Sequence, residues 1–296
     1  MNLITCIEQQ AARLNEAGVS FGHGTSNAFD EAAWLALWQL DLPLDSLDEH
    51  AEQDLSPEQQ ADIEALVAER IATRKPAAYL TQEAWLQGVP FYVDERAIVP
   101  RSFIAELIAD ESIDPWLSEQ TRRVLDLCTG NGSLAVLAAM AWPEVQVDAI
   151  DISADALDVA RINVDKHELG ERIRLLLGDG LAPAQGLYDL ILCNPPYVNS
   201  NSMATLPDEY LAEPRLALAG GADGMDFVRR LLADAPAHMS EHAVLVLEIG
   251  NERAYFEAAF PQLEVVWLET SAGDDQVLLV TREALMQAAH GAASTS

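Results

Sequence analysis

Residues 188–197 read Tyr-Asp-Leu-Ile-Leu-Cys-Asn-Pro-Pro-Tyr, an apolar run that meets two prolines. The apolar run predicts a buried strand of a parallel sheet. Pro195 and Pro196 lack the backbone N–H that a central strand needs, so the strand must end before them. Asn194 is therefore expected at the carboxyl edge of the sheet, which is the edge where ligands bind in open α/β folds.

The chemistry of this stretch favours a planar NH2 ligand. The Asn194 side chain offers a carbonyl oxygen, and the Pro195 carbonyl has no local N–H competing for it. Pro196 and Tyr197 can then shape a slot for the flat group, with the tyrosine ring packed on it. The alternative is a proline-rich turn capped by an asparagine, and the rest of the chain must decide between the two.

Working outward, strand-like and helix-like segments alternate from about residue 122 onward. Such alternation predicts an α/β fold with a doubly wound, mainly parallel sheet. Seven strands are expected, near Val124–Leu127, Val145–Ile150, Ile173–Leu177, Leu190–Cys193, Ala243–Glu248, Leu263–Leu268 and Gln276–Val280.

The part of the chain before residue 83 reads as helical. Asp30 is expected to cap one helix, and Ser56 with Gln59 to form a capping box on another that has Pro57 at its first position. A β-hairpin is predicted next, around Gly88. The predicted organisation is a helical domain at 1–82, a hairpin linker with a connecting helix at 83–115, the α/β domain at 116–285 and a disordered tail at 286–296.

Composition narrows the class of partner. The 296 residues include 48 acids and 17 bases, a net charge of −31 that would repel nucleic acid. Between Asp41 and Glu69 there are ten acidic side chains and no Lys or Arg. This run reads either as a solvated helical face or as a docking face for a basic partner.

No apolar stretch approaches ~18 residues, so no membrane partner is expected. Three widely separated cysteines favour a reducing, cytoplasmic location and give no metal-ligand spacing.

A glycine loop follows the first strand of the α/β domain, at Asp126–Ser133 (Asp-Leu-Cys-Thr-Gly-Asn-Gly-Ser). Glycines at such a loop let the backbone approach a ligand at a helix N-terminus. Asp151 ends the second strand, 21 residues past Gly130, close to the offset at which an acid holds a ribose diol. Asp179 follows the third strand. The loop has no lysine for a phosphate, and Cys128 stands where a dinucleotide fingerprint would have its first glycine.

These acids and the missing lysine suit a cationic sulfonium nucleoside rather than a pyrophosphate. The pattern resembles the class I S-adenosylmethionine-dependent methyltransferases, which have a Rossmann-like seven-stranded sheet. That resemblance implies S-adenosyl-L-methionine as the cofactor, with Thr129–Gly132 around its methionine and ribose portions, Asp151 on the ribose and Asp179 with Gly180 beside the adenine. The full set of implied cofactor-binding residues is Asp126, Cys128, Thr129, Gly130, Asn131, Gly132, Asp151, Ile152, Asp179, Gly180 and Asn194.

Within that superfamily, Asn-Pro-Pro-Tyr is typical of enzymes that methylate a planar, conjugated nitrogen. The resemblance therefore implies catalytic roles for Asn194, Pro195, Pro196 and Tyr197. The acceptor is either the exocyclic amine of a nucleobase or the side-chain amide of glutamine. An enzyme that flips a base must first hold the phosphate backbone, and this chain has only small, separated basic clusters. The charge therefore favours a protein acceptor without direct nucleic-acid binding.

Longer motifs make the resemblance more specific. Residues 21–32 (Phe-Gly-His-Gly-Thr-Ser-Asn-Ala-Phe-Asp-Glu-Ala), 99–108 and 213–221 resemble segments of the protein-(glutamine-N5) methyltransferase family. Ser102 and Cys128 favour the branch that modifies the third protein of the large ribosomal subunit over the sister branch that modifies release factors. Arg101 and Glu213 are candidate substrate contacts.

His23 could serve as a base, but Gly22-His23-Gly24 is more simply a tight turn. The prediction is therefore S-adenosylmethionine-dependent methylation of a glutamine amide in a basic ribosomal protein. The alternatives are a release factor as substrate, a nucleic-acid amine as acceptor and an inactive binding scaffold.

Overall fold

The computed structural model describes residues 1–294. The N-terminal part is helical and has its own apolar core. Its helices are α1 (Leu3–Glu16), α2 (Ala28–Gln39), α3 (Leu47–His50), α4 (Pro57–Thr73) and α5 (Ala77–Thr81). Leu14, Leu35 and Ile63 are fully buried in this core, which the hairpin that follows extends with Ala84 and Val93.

Polar side chains cap these helices as the local sequence requires. Ser56 and Gln59 form the predicted capping box, with Pro57 in the first turn of α4. The predicted cap of α2 is wrong: Asn27, not Asp30, has the extended backbone of a cap, and its side chain accepts the backbone N–H of Asp30 at 2.9 Å. Asp30 instead lies in the first turn, where its charge complements the helix dipole.

A two-stranded hairpin connects the helical part to the large sheet. Its strands are β1 (Glu83–Leu86) and β2 (Val89–Tyr92), which pair antiparallel with Leu86 opposite Val89. The two turn residues, Gln87 and Gly88, both have positive φ, as a two-residue hairpin turn of this twist requires. Helix α6 (Ile104–Ala109) and a 3₁₀ turn at Asp114–Trp116 complete the connection.

The predicted seven-stranded sheet is confirmed. Its strands are β3 (Arg123–Leu127), β4 (Gln146–Asp151), β5 (Ile173–Leu177), β6 (Tyr188–Cys193), β7 (Met239–Glu248), β8 (Val266–Thr270) and β9 (Gly273–Thr281). The spatial order is β5-β4-β3-β6-β7-β9-β8, with the first five parallel and β9 antiparallel to both neighbours. The chain winds outward from β3 on one side and resumes at β6 on the other. This reversal is the switch point where open α/β sheets bind ligands.

Helices cover both faces of the sheet. They are α7 (Ser133–Ala141), α8 (Ala154–Lys166), α11 (Asp226–Asp234), α12 (Arg253–Ala259) and α13 (Arg282–Ser294), while the short helices α9 (Ser200–Met203) and α10 (Asp208–Leu211) belong to the connection between β6 and β7. Alternate residues of each central strand enter the two cores. On β6, Leu190 and Leu192 face one core, whereas Ile191 and Cys193 face the other. Burial on both faces explains why this strand is apolar from Leu190 to Cys193.

The predicted disordered tail differs from the structure. Residues 286–294 belong to α13, which packs against β7 and β9 and buries Leu285, so the prediction is wrong for this segment. Alanine is the strongest helix former, and the segment is rich in it. Residues 295 and 296 of the predicted tail lie outside the described residues. Within residues 1–294, no helix has both the length and the apolarity to cross a membrane.

A buried arginine joins the helical part to the α/β part. Arg70 of α4 is fully buried, and its guanidinium contacts Glu31 of α2 at 2.8 Å and Glu209 of α10 at 3.4 Å. It also donates to the Ser20 carbonyl at 3.1 Å. Arg74 contacts the same Glu209 oxygen at 3.3 Å. Glu209 is therefore held by the N-terminal helices although it belongs to a segment that follows β6.

Replacing Arg70 by alanine should destabilise the protein by about 3–5 kcal/mol, because it leaves the buried Glu31 carboxylate without a cation and Glu209 with Arg74 alone. Urea unfolding of wild type and Arg70→Ala measures the difference. Arg161→Ala, which removes an exposed arginine of α8, is the control and should change stability by less than about 0.5 kcal/mol. A loss below about 1 kcal/mol for Arg70→Ala would contradict this account of the buried cluster.

Candidate active site

A cavity of about 510 Å³ opens at the carboxyl edge of the parallel strands. The residues that follow β3, β4, β5 and β6 form its floor. The segment Arg96–Ser102 and the residues from Leu206 to Gly221 form its walls. The cavity thus lies at the switch point between β3 and β6, where the sheet topology leaves a crevice.

The glycine loop after β3 has an unusual backbone. Cys128, Gly130 and Gly132 all have positive φ, at 62°, 56° and 81°. For Cys128 this conformation is strained, and such strain collects at functional loops. A Cβ on Gly132 would lie 3.1 Å from the Cβ of Ala160, so this glycine lets α8 pack closely on the loop. Cys128 and Gly130 line the cavity, whereas Gly132 faces α8.

Asp126 supports the loop from behind. It is fully buried and accepts the Thr129 hydroxyl at 2.5 Å and the Ala135 backbone N–H at 3.0 Å. Burial raises the pKa of Asp126 to about 7. The side chain therefore anchors Thr129 and the start of α7, and it is not among the residues that line the cavity.

Asp151 ends β4 and faces the cavity. One of its carboxylate oxygens accepts the Gly130 N–H at 2.9 Å, and the other accepts the Ser153 N–H at 2.8 Å. Burial raises the pKa of Asp151 despite these bonds. Two backbone donors fix the carboxylate and leave each oxygen a further lone pair, which can accept the hydroxyls of a diol. Ile152, the next residue, is half-exposed and also lines the cavity.

Asp179 and Gly180 lie on the same side, after β5. The Asp179 carboxylate pairs with Arg230 at 2.9 Å, and both side chains are about half exposed to solvent. Gly180 has a φ of 55°, in the left-handed region that favours glycine. The predicted cofactor-side residues of three different strands therefore meet around one cavity.

The other end of the cavity is formed by Asn194–Tyr197, directly after β6. Among the described residues, none hydrogen-bonds to the Asn194 side chain or to the Pro195 carbonyl. Both acceptors are thus available to a ligand. Burial and the neighbouring Glu248 raise the pKa of Tyr197, so its hydroxyl stays protonated and donates to Glu248 at 3.2 Å.

Arg101 and Glu213 bind each other in the wall. The guanidinium of Arg101 makes two bonds to the Glu213 carboxylate, at 2.5 and 2.7 Å, and it lies over the Tyr210 ring. Arg101 lines the cavity, whereas Glu213 lies behind it and also accepts the Val99 N–H at 3.0 Å. In this structure the Glu213 carboxylate braces Arg101 and the Val99 backbone and does not line the cavity. Burial opposes its ionisation, but Arg101 and His23 lower the pKa of Glu213 to about 2.

His23 lies in the predicted tight turn, between two glycines with positive φ. It is nonetheless buried, with Nε2 3.4 Å from the Glu213 carboxylate and its ring against Tyr210. It does not line the cavity. Its position connects the N-terminal turn to the segment that follows β6.

The cations around the cavity each have a carboxylate partner. Within the described residues, Arg96 pairs with Asp94, Arg101 with Glu213 and Arg230 with Asp179. The cavity therefore has no surplus positive charge for a phosphate group, while Asp151 remains an unpaired acid facing it.

The structure thus brings together most of the residues that sequence predicted. Those on the cavity wall are Arg101, Cys128, Thr129, Gly130, Asn131, Asp151, Ile152, Asp179, Gly180, Asn194, Pro195, Pro196 and Tyr197. Asp126, Gly132 and Glu213 lie one layer behind. Sequence reasoning missed Glu248, which holds Tyr197. The sequence could have indicated Glu248, because an acid at the end of the apolar strand β7 is as unusual as Asp151 at the end of β4.

The fold and cavity define a class I methyltransferase. A family model described as "Methyltransferase small domain" matches residues 112–222, and one described as "PrmC N-terminal domain" matches residues 6–81. The human Mettl16 catalytic domain, crystallised with an RNA hairpin, superposes with a TM-score of 0.50 at 13% identity over 76% of this chain and 81% of that one, a likeness of fold alone.

Three curated relatives carry the same name, ribosomal protein uL3 glutamine methyltransferase. That of Bordetella pertussis is 54% identical, over 94% of each chain. That of Neisseria meningitidis serogroup B is 50% identical over 93% of this chain and 91% of the relative, and that of Bradyrhizobium diazoefficiens is 44% identical over 95% and 90%. The chain belongs to the family of ribosomal protein uL3 glutamine methyltransferases.

The Glu213 brace should make stability depend on pH in a defined direction. The folded pKa of about 2 lies below the ordinary value of 4.5, so the stabilisation is complete above pH 4.5 and is lost as the pH falls toward 2. At pH 7 the ionised carboxylate contributes roughly 3 kcal/mol. Urea unfolding should show a large difference between wild type and Glu213→Gln at pH 7 and less than about half of it at pH 3.

The exposed Glu241, replaced by glutamine, is the matched control and should change stability by less than about 0.5 kcal/mol at pH 7. A Glu213→Gln difference that stays constant from pH 7 to pH 3 would rule out the ion pair as its source.

Proposed function

We propose that this chain transfers a methyl group from S-adenosylmethionine to the side-chain amide nitrogen of a glutamine in ribosomal protein uL3. One observation carries the proposal: Asn194 and Pro195, two free acceptors at the end of β6, share a cavity with the glycine loop and Asp151. A nucleoside site and a site for a planar NH2 group therefore open into the same space.

The residues present fit S-adenosylmethionine, which supplies an electrophilic methyl group on a sulfonium. Asp151 keeps lone pairs for a ribose diol, and the loop at Thr129–Asn131 presents backbone at the N-terminus of α7. The paired cations leave the cavity without positive charge that would repel a sulfonium. A pyrophosphate, by contrast, would find no lysine or unpaired arginine among the described cavity residues.

The amide of glutamine needs orientation more than activation. Its nitrogen lone pair is delocalised into the carbonyl, so the nitrogen is a weak nucleophile. Asn194 Oδ1 and the Pro195 carbonyl can each accept one N–H, which turns the nitrogen toward the donor and favours its pyramidalisation as the new bond forms. Alignment of this kind can supply ~7–11 kcal/mol in favourable cases.

The transfer requires no general base before the bond forms. S-adenosylmethionine, when bound, would supply the methyl group and its sulfur would keep the electrons of the methyl–sulfur bond, while Asn194 and the Pro195 carbonyl would hold the amide nitrogen by its N–H groups until one proton leaves after the transfer. Tyr197 and Pro196 contribute by shaping the slot and excluding water, which helps a reaction that disperses charge. The chain's role is therefore binding, alignment and exclusion.

The substrate class is supported by charge on the helical domain. All ten acids between Asp41 and Glu69 are exposed, and none forms an ion pair with a described residue. An excess of exposed acidic side chains attracts partners of the opposite sign and raises their association rate. A basic ribosomal protein fits this surface, and it is also the substrate that the names of the curated relatives state.

Replacing Asn194 by alanine should lower turnover on uL3 by a factor of 100 or more while the affinity for S-adenosylmethionine stays within about threefold. The reason is that the change removes an acceptor that orients the amide but leaves the glycine loop and Asp151 in place. Methyl incorporation with labelled cofactor measures turnover, and calorimetry measures affinity. Near-normal turnover would contradict the proposed mechanism.

Asn201→Ala, an exposed asparagine of α9, is the matched control and should retain wild-type turnover. The same assay run in parallel on uL3, release factors and ribosomal RNA separates the substrate alternatives. The proposal expects label in a uL3 glutamine. Label confined to a release factor or to RNA would refute the substrate, and absence of cofactor binding would indicate a scaffold.

Neutralising part of the acidic surface should weaken the recognition of uL3. A variant with Asp41, Asp45 and Asp48 replaced by asparagine and Glu49 by glutamine should raise KM for uL3 about fivefold at low salt, with kcat unchanged, because the surface acts on association. The difference should shrink above about 0.3 M salt, where exposed charges are screened.

Four exposed acids elsewhere provide the control: Glu241, Glu264, Glu269 and Asp274, neutralised in the same way. This variant has the same net charge but should keep the wild-type KM. Equal KM increases in both variants would assign the effect to net charge rather than to a docking surface.

A further inference from the structure

Glu248 is a buried carboxylate with no part in the transfer described above. It is the last residue of β7, the strand beside β6, and only 2% of it is exposed. It lies behind the cavity wall rather than on it. A buried acid is costly unless its oxygens are satisfied, so its partners indicate what it is there to hold.

Those partners come from two walls of the cavity. One oxygen of Glu248 accepts the Ser102 hydroxyl at 2.6 Å and the Phe103 backbone N–H at 2.9 Å. The other accepts the Tyr197 hydroxyl at 3.2 Å. Ser102 and Tyr197 both line the cavity, 95 residues apart in the chain. A single carboxylate therefore joins the segment before α6 to the segment after β6.

Three neighbouring glycines, which have no Cβ, also determine the position of Tyr197. A Cβ on Gly250 would lie 2.5 Å from the tyrosine ring, and one on Gly220 would lie 2.7 Å from the Tyr197 Cα. A Cβ on Gly224 would collide with the Tyr197 carbonyl. The surrounding backbone thus encloses the residue closely, and the hydroxyl end of the ring is directed to Glu248.

We propose that Glu248 is a positioning residue for the acceptor slot: through its bond to the Tyr197 hydroxyl it fixes the ring that packs on the glutamine amide. This inference rests on the proposed function. Its consequence is specific, because Glu248 acts through Tyr197 and does not itself line the cavity. Loss of Glu248 should therefore affect kcat with uL3 and leave cofactor affinity unchanged.

A double-mutant cycle tests the coupling. Glu248→Gln should lower kcat on uL3 about tenfold, or about 1.4 kcal/mol, and Tyr197→Phe should have a similar effect. The double variant should be no worse than about twofold below either single variant, because both changes act on the same hydrogen bond between Tyr197 and Glu248. Glutamine keeps the size of the side chain and an oxygen for the Phe103 N–H, so folding should be retained.

Asp148 provides a matched control away from the cavity. It is also a buried carboxylate that accepts a tyrosine hydroxyl, that of Tyr188 at 2.7 Å. Asp148→Asn should lower the urea midpoint while the folded enzyme keeps its kcat. A general loss of packing would lower kcat in both variants, whereas a positioning role of Glu248 lowers kcat only in Glu248→Gln.

Three outcomes would overturn the inference: wild-type kcat in Glu248→Gln, additive losses in the double variant, or a loss in cofactor affinity equal to the loss in kcat. Failure of the proposed function gives a different result, since wild type itself would then transfer no methyl group to uL3. Wild-type activity together with a coupled cycle supports both.

Discussion

The end of β6 at two consecutive prolines is the constraint on which the site depends. Because Pro195 and Pro196 cannot continue the ladder, the chain leaves the sheet at Asn194 while the neighbouring strands still surround it. The exit exposes one side-chain acceptor and one backbone acceptor at the switch point. The parallel topology places Asp151 at the same edge, so Asp151 and Asn194 line one cavity without any long-range adjustment.

Burial of charge then determines how the two parts of the chain are joined. Glu209 and Glu213 belong to the segment after β6, yet their partners Arg70 and His23 come from the helical part. Both contacts are buried, and Glu209 and Glu213 are held in addition by Arg74 and Arg101. These contacts link the helical part, which carries the surface proposed to meet the substrate, to the wall of the cavity. Through this connection, the helical domain can affect the proposed acceptor slot as well as the docking of the substrate.

Much of the architecture could be predicted from local patterns. Seven apolar runs specified the sheet, and the Ser56–Gln59 capping box was readable because its two bonds join residues three apart. Asp30 was wrongly predicted as a cap because Asn27, three residues earlier, is equally suited and has the extended backbone. The tail was predicted as disordered because its residues are small. Alanine nevertheless favours a helix, and α13 is stabilised further by packing against β7.

The positions of the site residues could be predicted where they lie at the ends of strands. They could not be predicted where they depend on partners that are distant in sequence. Asn194 and Asp151 were predicted to share one sheet edge because each lies at the end of an apolar strand, and the structure places both on the cavity wall. Glu213 was read as a substrate contact, since nothing local shows that Arg101, 112 residues earlier, takes both of its oxygens. Glu248 was missed for the same reason: its partners lie 51 to 146 residues away. Long-range pairing of buried charges leaves no periodic signal in sequence.

A crystal structure with S-adenosylhomocysteine and a glutamine peptide of uL3 would test the central claim most directly. The account predicts the amide nitrogen within 2.7–3.2 Å of both Asn194 Oδ1 and the Pro195 carbonyl oxygen. It further predicts the ribose on Asp151, with the Tyr197 ring packed on the amide. An amide nitrogen held by other groups, or a peptide that binds outside the cavity, would contradict it.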